Sequence, residues 1–231
     1  SPITASAELG MLYKTGNTKS ADIKTGFDFK YEQEQWRSTL ALDLLVKKTE
    51  KTDENGKEHF ETSDQKWTFE SKTNYTLGTE EKNYVYGNFA YKDDRFSSFE
   101  NQSSLSLGWG RRWYESKTAS FDADIGPGFK RDVLRDTDES SGETSNSFII
   151  QAQALYLRKL NEHVEFRQQF TAKYSPKSGE NSTYKAESSI TTKLIETLQL
   201  KFSFTIDHNT EVEEDKENTD TQTAMTLVYS F

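Results

Sequence analysis

The residues able to do chemistry in this chain are charged, and they alternate with apolar ones. Between Ala21 and Glu32, the charged Asp22, Lys24, Asp28, Lys30 and Glu32 fall on even positions. Ile23, Phe27, Phe29 and Tyr31 fall on odd ones. The same alternation recurs along the chain and collects a candidate lumen-lining set: Asp22, Lys24, Asp28, Lys30, Arg37, Asp43, Lys66, Glu70, Lys72, Arg112, Asp122, Asp124, Lys130, Glu165, Arg167, Lys185, Glu187 and Lys201. A period of two sends neighbouring side chains to opposite faces of a strand, so the charges share one face and the apolar groups the other. Opposite charges confined together have two uses. They interlock into a salt-bridge network that fills a narrow space, or they line a small water-filled passage and set what crosses it. Acids and bases on this face balance almost one for one. The net charge of −9 therefore falls mainly on connecting segments, at Asp53, Glu54, Glu58, Asp136, Asp138, Glu139, Glu143 and the acidic stretch 211–220. Such oxygen-rich loops suit weak divalent-cation binding, or contact with lipopolysaccharide phosphates through the cations, but none has EF-hand spacing.

Other chemistry has little support. The chain has no Cys, which removes disulfides, thiol catalysis and Cys–Zn sites. Its three His, His59, His163 and His208, are scattered and make no zinc pattern. A hydrolase would need Ser, His and an orienting group together. His163 falls in an expected turn and His59 in an expected loop, and nothing in the sequence brings Ser103 or Ser188 to His208. No enzyme and no cofactor are expected, with an outer-membrane lipid hydrolase the remote alternative. The negative net charge argues against a nucleic-acid partner.

The elements that must position the charged face are strands. The chain has 231 residues, only 32% of them hydrophobic, yet 13% are aromatic, and its mean hydropathy is −0.89. Polarity at that level suggests disorder, and the aromatics argue against it. About twelve alternating segments appear, the last at Thr221 to Phe231, where Thr223, Met225, Leu227, Tyr229 and Phe231 share a face. The expected fold is all-β: one closed antiparallel transmembrane β-barrel over 1–231, apolar outside and polar inside. Short turns would sit on the periplasmic side and longer loops outside, and an even strand count would put both termini in the periplasm, in the bacterial outer membrane. Ser1 would lie near a processed N-terminus. The terminal strand would close the ring on the first. Trp36, Tyr75, Trp109, Trp113, Tyr156 and Phe231 fall near the turn ends, where amphipathic rings favour a lipid boundary. A soluble sandwich or lipocalin-like barrel, apolar inside, is the alternative.

Three local expectations accompany this fold. Residues 50–62 read as a long polar loop. Gly16-Asn17 favours a tight hairpin with positive φ. Gly126-Pro127-Gly128 lies inside a strand, where a proline predicts a bulge or kink. Strands five and eight have the least clear faces, since Tyr84 and Tyr86, or Ile149, Leu155 and Leu157, compete with the neighbouring set.

Ala7-Glu8-Leu9-Gly10, Thr15-Gly16-Asn17-Thr18, Gly126-Pro127-Gly128-Phe129 and the Tyr229-Ser230-Phe231 end, in this order, resemble the YdiY-like family of salt-induced outer-membrane proteins, a family of unknown function. The resemblance implies an outer-membrane barrel, lipid and lipopolysaccharide as surroundings, and a link to salt or osmotic conditions. It also implies that Tyr229 and Phe231 form the signal read by the barrel assembly machinery. It supplies no catalytic residues. A narrow pore and a plugged structural barrel acting through its loops both remain open at this point.

Overall fold

The structure, a computed structural model, describes residues 2–14, 19–136, 142–212, 214 and 216–231. The strands are β1 (Ile3–Lys14), β2 (Ser20–Gln33), β3 (Trp36–Thr52), β4 (Glu58–Leu77), β5 (Asn83–Asp94), β6 (Phe99–Glu115), β7 (Ala119–Leu134), β8 (Thr144–Lys159), β9 (Val164–Tyr174), β10 (Thr183–Lys193), β11 (Leu198–Asn209) and β12 (Thr219–Ser230). Each pairs antiparallel with its sequence neighbours, and β12 returns to β1, so the twelve strands close one barrel. Closure leaves no unpaired edge, which a strand buried in lipid could not tolerate. The closing ladder runs from Ser6 opposite Ser230 to Leu9 opposite Leu227. It is extended by paired backbone bonds between Ala5 and Phe231, at 3.2 and 2.9 Å.

The apolar face points outward. Met11, Leu107 and Phe129 are 72, 65 and 68% exposed, which excludes the soluble alternative. Moving such side chains from water into hydrocarbon gains roughly 1.5–3 kcal/mol each, so the wall is stable where lipid covers it. Among the described residues, no helix is long and apolar enough to cross a membrane.

Gly10 explains part of the Ala7-Glu8-Leu9-Gly10 motif. A Cβ there would lie 2.6 Å from the Met225 carbonyl oxygen and 2.7 Å from Thr226 Cγ2, so glycine is what lets β1 approach β12.

Two local expectations need correction. The segment 50–62 is mostly strand: after a register shift at Lys47/Lys48, pairing continues from Lys48–Thr62 to Thr52–Glu58. Only 53–57 connect the two strands. Asp53 Oδ1 caps the turn, accepting from the backbone of Asn55 at 3.0 Å and of Lys57 at 2.8 Å. A ladder uses backbone groups, so polar side chains do not end it. Pro127 makes no bulge. Pairing with β8 is continuous through Gly126–Gln151, Pro127–Ile150 and Gly128–Ile149. Toward β6 the rungs stop after Ser106–Gly128 and resume at Trp109–Ile125 in the same register. The missing proline donor is absorbed by skipped rungs, with the Pro127 ring exposed on the outer face. The Gly16-Asn17 turn lies outside the described residues.

At one end of the barrel the connections are 34–35, 78–82, 116–118, 160–163 and 194–197. Glu34, Gly78 and Glu81 take positive φ there, at 56°, 70° and 59°. The opposite end carries 135–143, 175–182 and 210–218, together with the shorter 53–57 and 95–98.

Candidate functional site

One continuous cavity of about 610 Å³ occupies the lumen. Its lining runs from Arg37, Asp122 and Leu157 toward the turn end to Lys66, Thr183 and Asn209 toward the loop end. Lys24, Asp28, Lys30, Asp43, Glu70, Lys72, Asp124, Lys130, Arg167, Lys185, Glu187 and Lys201 border it as well. Asp22, Arg112 and Glu165 do not. Arg112 sits toward the turns with its guanidinium forked onto Asp122, Nε to Oδ1 at 2.7 Å and Nη2 to Oδ2 at 3.0 Å. A third bond reaches Glu115 at 3.3 Å. Asp22 lies opposite Lys47 on β3, and Glu165 opposite Thr191 on β10.

The lumen wall has two unlike arcs. On β5–β8 the inner face is filled. Tyr84 and Tyr86 are 7 and 4% exposed and point inward, leaving Val85 and Phe89 outside. Their rings lie on a floor of glycines. A Cβ at Gly108 would be 2.7 Å from Tyr86 Cε2, and one at Gly110 would run into the Tyr84 ring. Lys72 reaches across from β4, with Nζ 4.9 Å from the Tyr86 ring centroid and 5.8 Å from that of Tyr84. It pairs with Asp124, which also accepts from Tyr84 Oη at 2.8 Å. Beside this cluster, Gln151 Nε2 donates to Asn88 Oδ1 at 2.8 Å, and Asn88 Nδ2 donates to Glu70 at 3.2 Å. Ile149 is fully buried inside. Lys130 and Asp132 are ion-paired in the wall.

The other arc, β9–β12 with β1–β3, carries charge on a looser frame. Glu8 is its hub: Lys201 Nζ at 3.4 Å, Lys24 Nζ at 4.0 Å and Thr226 Oγ1 at 3.2 Å converge on it from β11, β2 and β12. Gly26 leaves room for this meeting, since a Cβ there would be 2.8 Å from Asp43 Oδ1 and 3.0 Å from Glu8 Oε1. Arg167 and Glu187 pair at 3.7 Å, and Thr205 donates to Glu187 at 3.3 Å. These contacts are long enough to leave polar atoms facing the cavity. The sign balance expected on this face does not hold at the cavity surface, where eleven Lys and Arg face eight Asp and Glu.

The sequence set omits Lys92, which lines the cavity. Continuing the alternation of Val85, Gly87, Phe89 and Tyr91 by one residue would have placed it inward. Glycines as the floor beneath the tyrosines are also missing, since the alternation records a face and not what leans on it.

Rings cluster near the turn end. Trp36 meets Tyr75 edge-on at 4.8 Å, Trp109 meets Trp113 at 6.1 Å, and Tyr156 meets Phe166 at 6.3 Å. Tyr229 and Phe231 lie 5.5 Å apart, both exposed on the outer face. Of the acidic loop residues, Asp138, Glu139, Glu213 and Asp215 are outside the described set. Among the described residues, no three His, Cys, Asp or Glu side chains are grouped so as to hold a metal.

Comparison with known proteins gives the same architecture. The family described as "Protein of unknown function, DUF481" matches residues 7–231. The uncharacterized protein YdiY of Escherichia coli (strain K12) is 25% identical over 231 residues, covering all of this chain and 84% of its own length. Among solved structures, the NanC porin superposes with a TM-score of 0.54 at 10% identity, covering 97% of this chain and 98% of its own. An outer membrane channel of Pseudomonas putida F1 does so with a TM-score of 0.51 at 7% identity, covering 99 and 95%. At these identities the structural likeness establishes the barrel fold.

Proposed function

We propose, from the premise that this chain belongs to the DUF481 family of proteins of unknown function, that it is a narrow passive pore for ions and small solutes in the bacterial outer membrane, with both termini periplasmic. The observation that carries this reading is the continuous charged cavity whose lining reaches both ends of the barrel. Spread over an apolar band ~25 Å tall, its volume leaves a mean cross-section of about 25 Å². An α-helix, about 10 Å across, does not fit such a passage, which favours small hydrated solutes over helical cargo. The candidate lumen set then acts as the passage wall. The ring pairs at the turn end anchor the periplasmic lipid boundary. Tyr229 and Phe231 present the assembly signal on the outer face, and the acidic loops meet lipopolysaccharide through divalent cations. A role in salt or osmotic stress fits a conduit that equalises small solutes.

The filled β5–β8 arc favours a second reading, a plugged structural barrel acting through its loops. Planar-bilayer recording separates the two. Discrete open steps are expected from the purified protein, and their absence would favour the plugged barrel. Deleting Phe231 should lower the yield of folded barrel several-fold while leaving the conductance of barrels that form unchanged. Normal assembly of that variant would overturn the signal assignment.

A further inference from the structure

The surplus of base over acid on the cavity surface sits toward the loop end. Lys66 on β4, Lys92 on β5, Lys173 on β9 and Lys185 on β10 all line the cavity, and among the described residues none reaches an ion-pair partner. The four face a common space: all of them lie within electrostatic reach of the Asp207 carboxylate on β11, and Lys173 also feels Lys185, Lys130 and Lys92. Register places Lys185 opposite Asp207 and Lys173 two rungs closer to the loops, opposite Thr183; Lys92 and Lys66 are likewise two rungs apart on β5 and β4. Lys130, in the same region, is already occupied by Asp132. The acids acting on this group are Asp207, Glu187, Glu70 and Asp43 around Lys185, and Asp64 beside Lys66, which stands opposite Asp94 in the register. Among the described residues, none of the four ammonium groups is held in an ion pair, whereas Glu187, the second carboxylate acting on Lys185, is engaged by Arg167 and Thr205, and Glu8 by Lys24 and Lys201.

We propose that these four lysines form an anion-selecting belt, so that the pore admits small carboxylate- or phosphate-bearing solutes in preference to cations. The proposal rests on the pore reading above and names its substrate class. Low-dielectric walls focus the field of a charged cleft, and rings of charge set selectivity in a narrow pore. The side-chain type fits transit rather than capture. A lysine offers a mobile point charge with three donors, whereas arginine's rigid fork holds an oxyanion in two parallel bonds. Conduction needs attraction weak enough to release.

The test is reversal-potential measurement in a KCl gradient, together with calorimetric titration of citrate onto the detergent-folded barrel. Wild type should prefer chloride over potassium by about 3-fold or more, given a focused potential of the order of kT. Lys92→Gln/Lys173→Gln/Lys185→Gln should bring the ratio close to 1 and abolish citrate heat. The corresponding Lys→Arg triple variant should keep the preference, and heat-modifiable gel migration certifies that each variant is folded. Open steps without anion preference would overturn the belt and leave the pore. No steps, but citrate binding that the Gln variant loses, would overturn the pore and leave the belt as an anion site. Neither steps nor citrate binding would overturn both.

Discussion

The filled arc and the open arc of this barrel are built from the same alternating pattern, yet they end as different materials. On β5–β8, large inward side chains meet glycines: Tyr84 and Tyr86 lie on Gly108 and Gly110, and Gly126 lets β7 close on β6. The charged groups inside that cluster have short partners, as with Asp124 between Lys72 and Tyr84, while Lys92 at the loop end of β5 borders the cavity. On β9–β12 and β1–β3 the inward positions hold Lys, Glu, Thr and Gln at longer separations, and the cavity lies against them. What leans on the glycines differs between the arcs: tyrosine rings over Gly108 and Gly110 on one side, the Glu8 and Asp43 carboxylates over Gly26 on the other.

This contrast can be broken at three points. The largest effect is expected from Gly126→Val. Its Cβ would overlap the Leu107 backbone, and backbone in a closed barrel cannot step aside. Folded yield on heat-modifiable gels should fall to near zero, while Gly87→Ala, whose nearest neighbour is Leu107 Cδ2 at 3.4 Å, should fold normally. Next comes Asp124→Ala, which removes the buried carboxylate and leaves the half-buried Lys72 without its partner and Tyr84 without its acceptor. Breaking such a pair costs about 3 kcal/mol, readable in urea unfolding from detergent or vesicles. The smallest effect is expected from Arg167→Gln on the open arc. Its 3.7 Å pair is partly exposed to the lumen, so stability should change by less than about 1 kcal/mol. Equal costs for Asp124→Ala and Arg167→Gln would erase the distinction between the arcs.

Much of the architecture was legible because a barrel in lipid writes its two faces directly into the sequence. Phe27, Phe29 and Leu42 could only face lipid, and Asp28, Lys30 and Asp43 could only face away from it. The closing strand was legible for the same reason, since Tyr229 and Leu227 alternate with Val228 and Thr226, and β1 supplies the matching rung. Features independent of side-chain polarity were not legible. Residues 48–52 and 58–62 pair through their backbone groups, which the polarity of their side chains does not reveal. Pro127 keeps its register because the skipped rungs fall between glycines. Of the candidate site, the alternation assigned faces but could not say which inward residues would be filled in and which would border a cavity. That depends on partners from β4 to β8 brought together by closure. Lys92 stands near the end of its strand, immediately before the polar run that opens with Asp93, where the alternation gives its weakest signal.

The central claim is a solute path along the open arc. The absence of native cysteine gives a clean background for testing it. Thr191→Cys places a thiol on the cavity lining, and Ser147→Cys places one inside the barrel but within the filled arc. In single-channel recordings, a charged methanethiosulfonate reagent should cut the current of Thr191→Cys by roughly half or more, since the added group fills much of a narrow cross-section. It should leave Ser147→Cys unchanged. Equal block of both variants, or block of Ser147→Cys alone, would contradict the account.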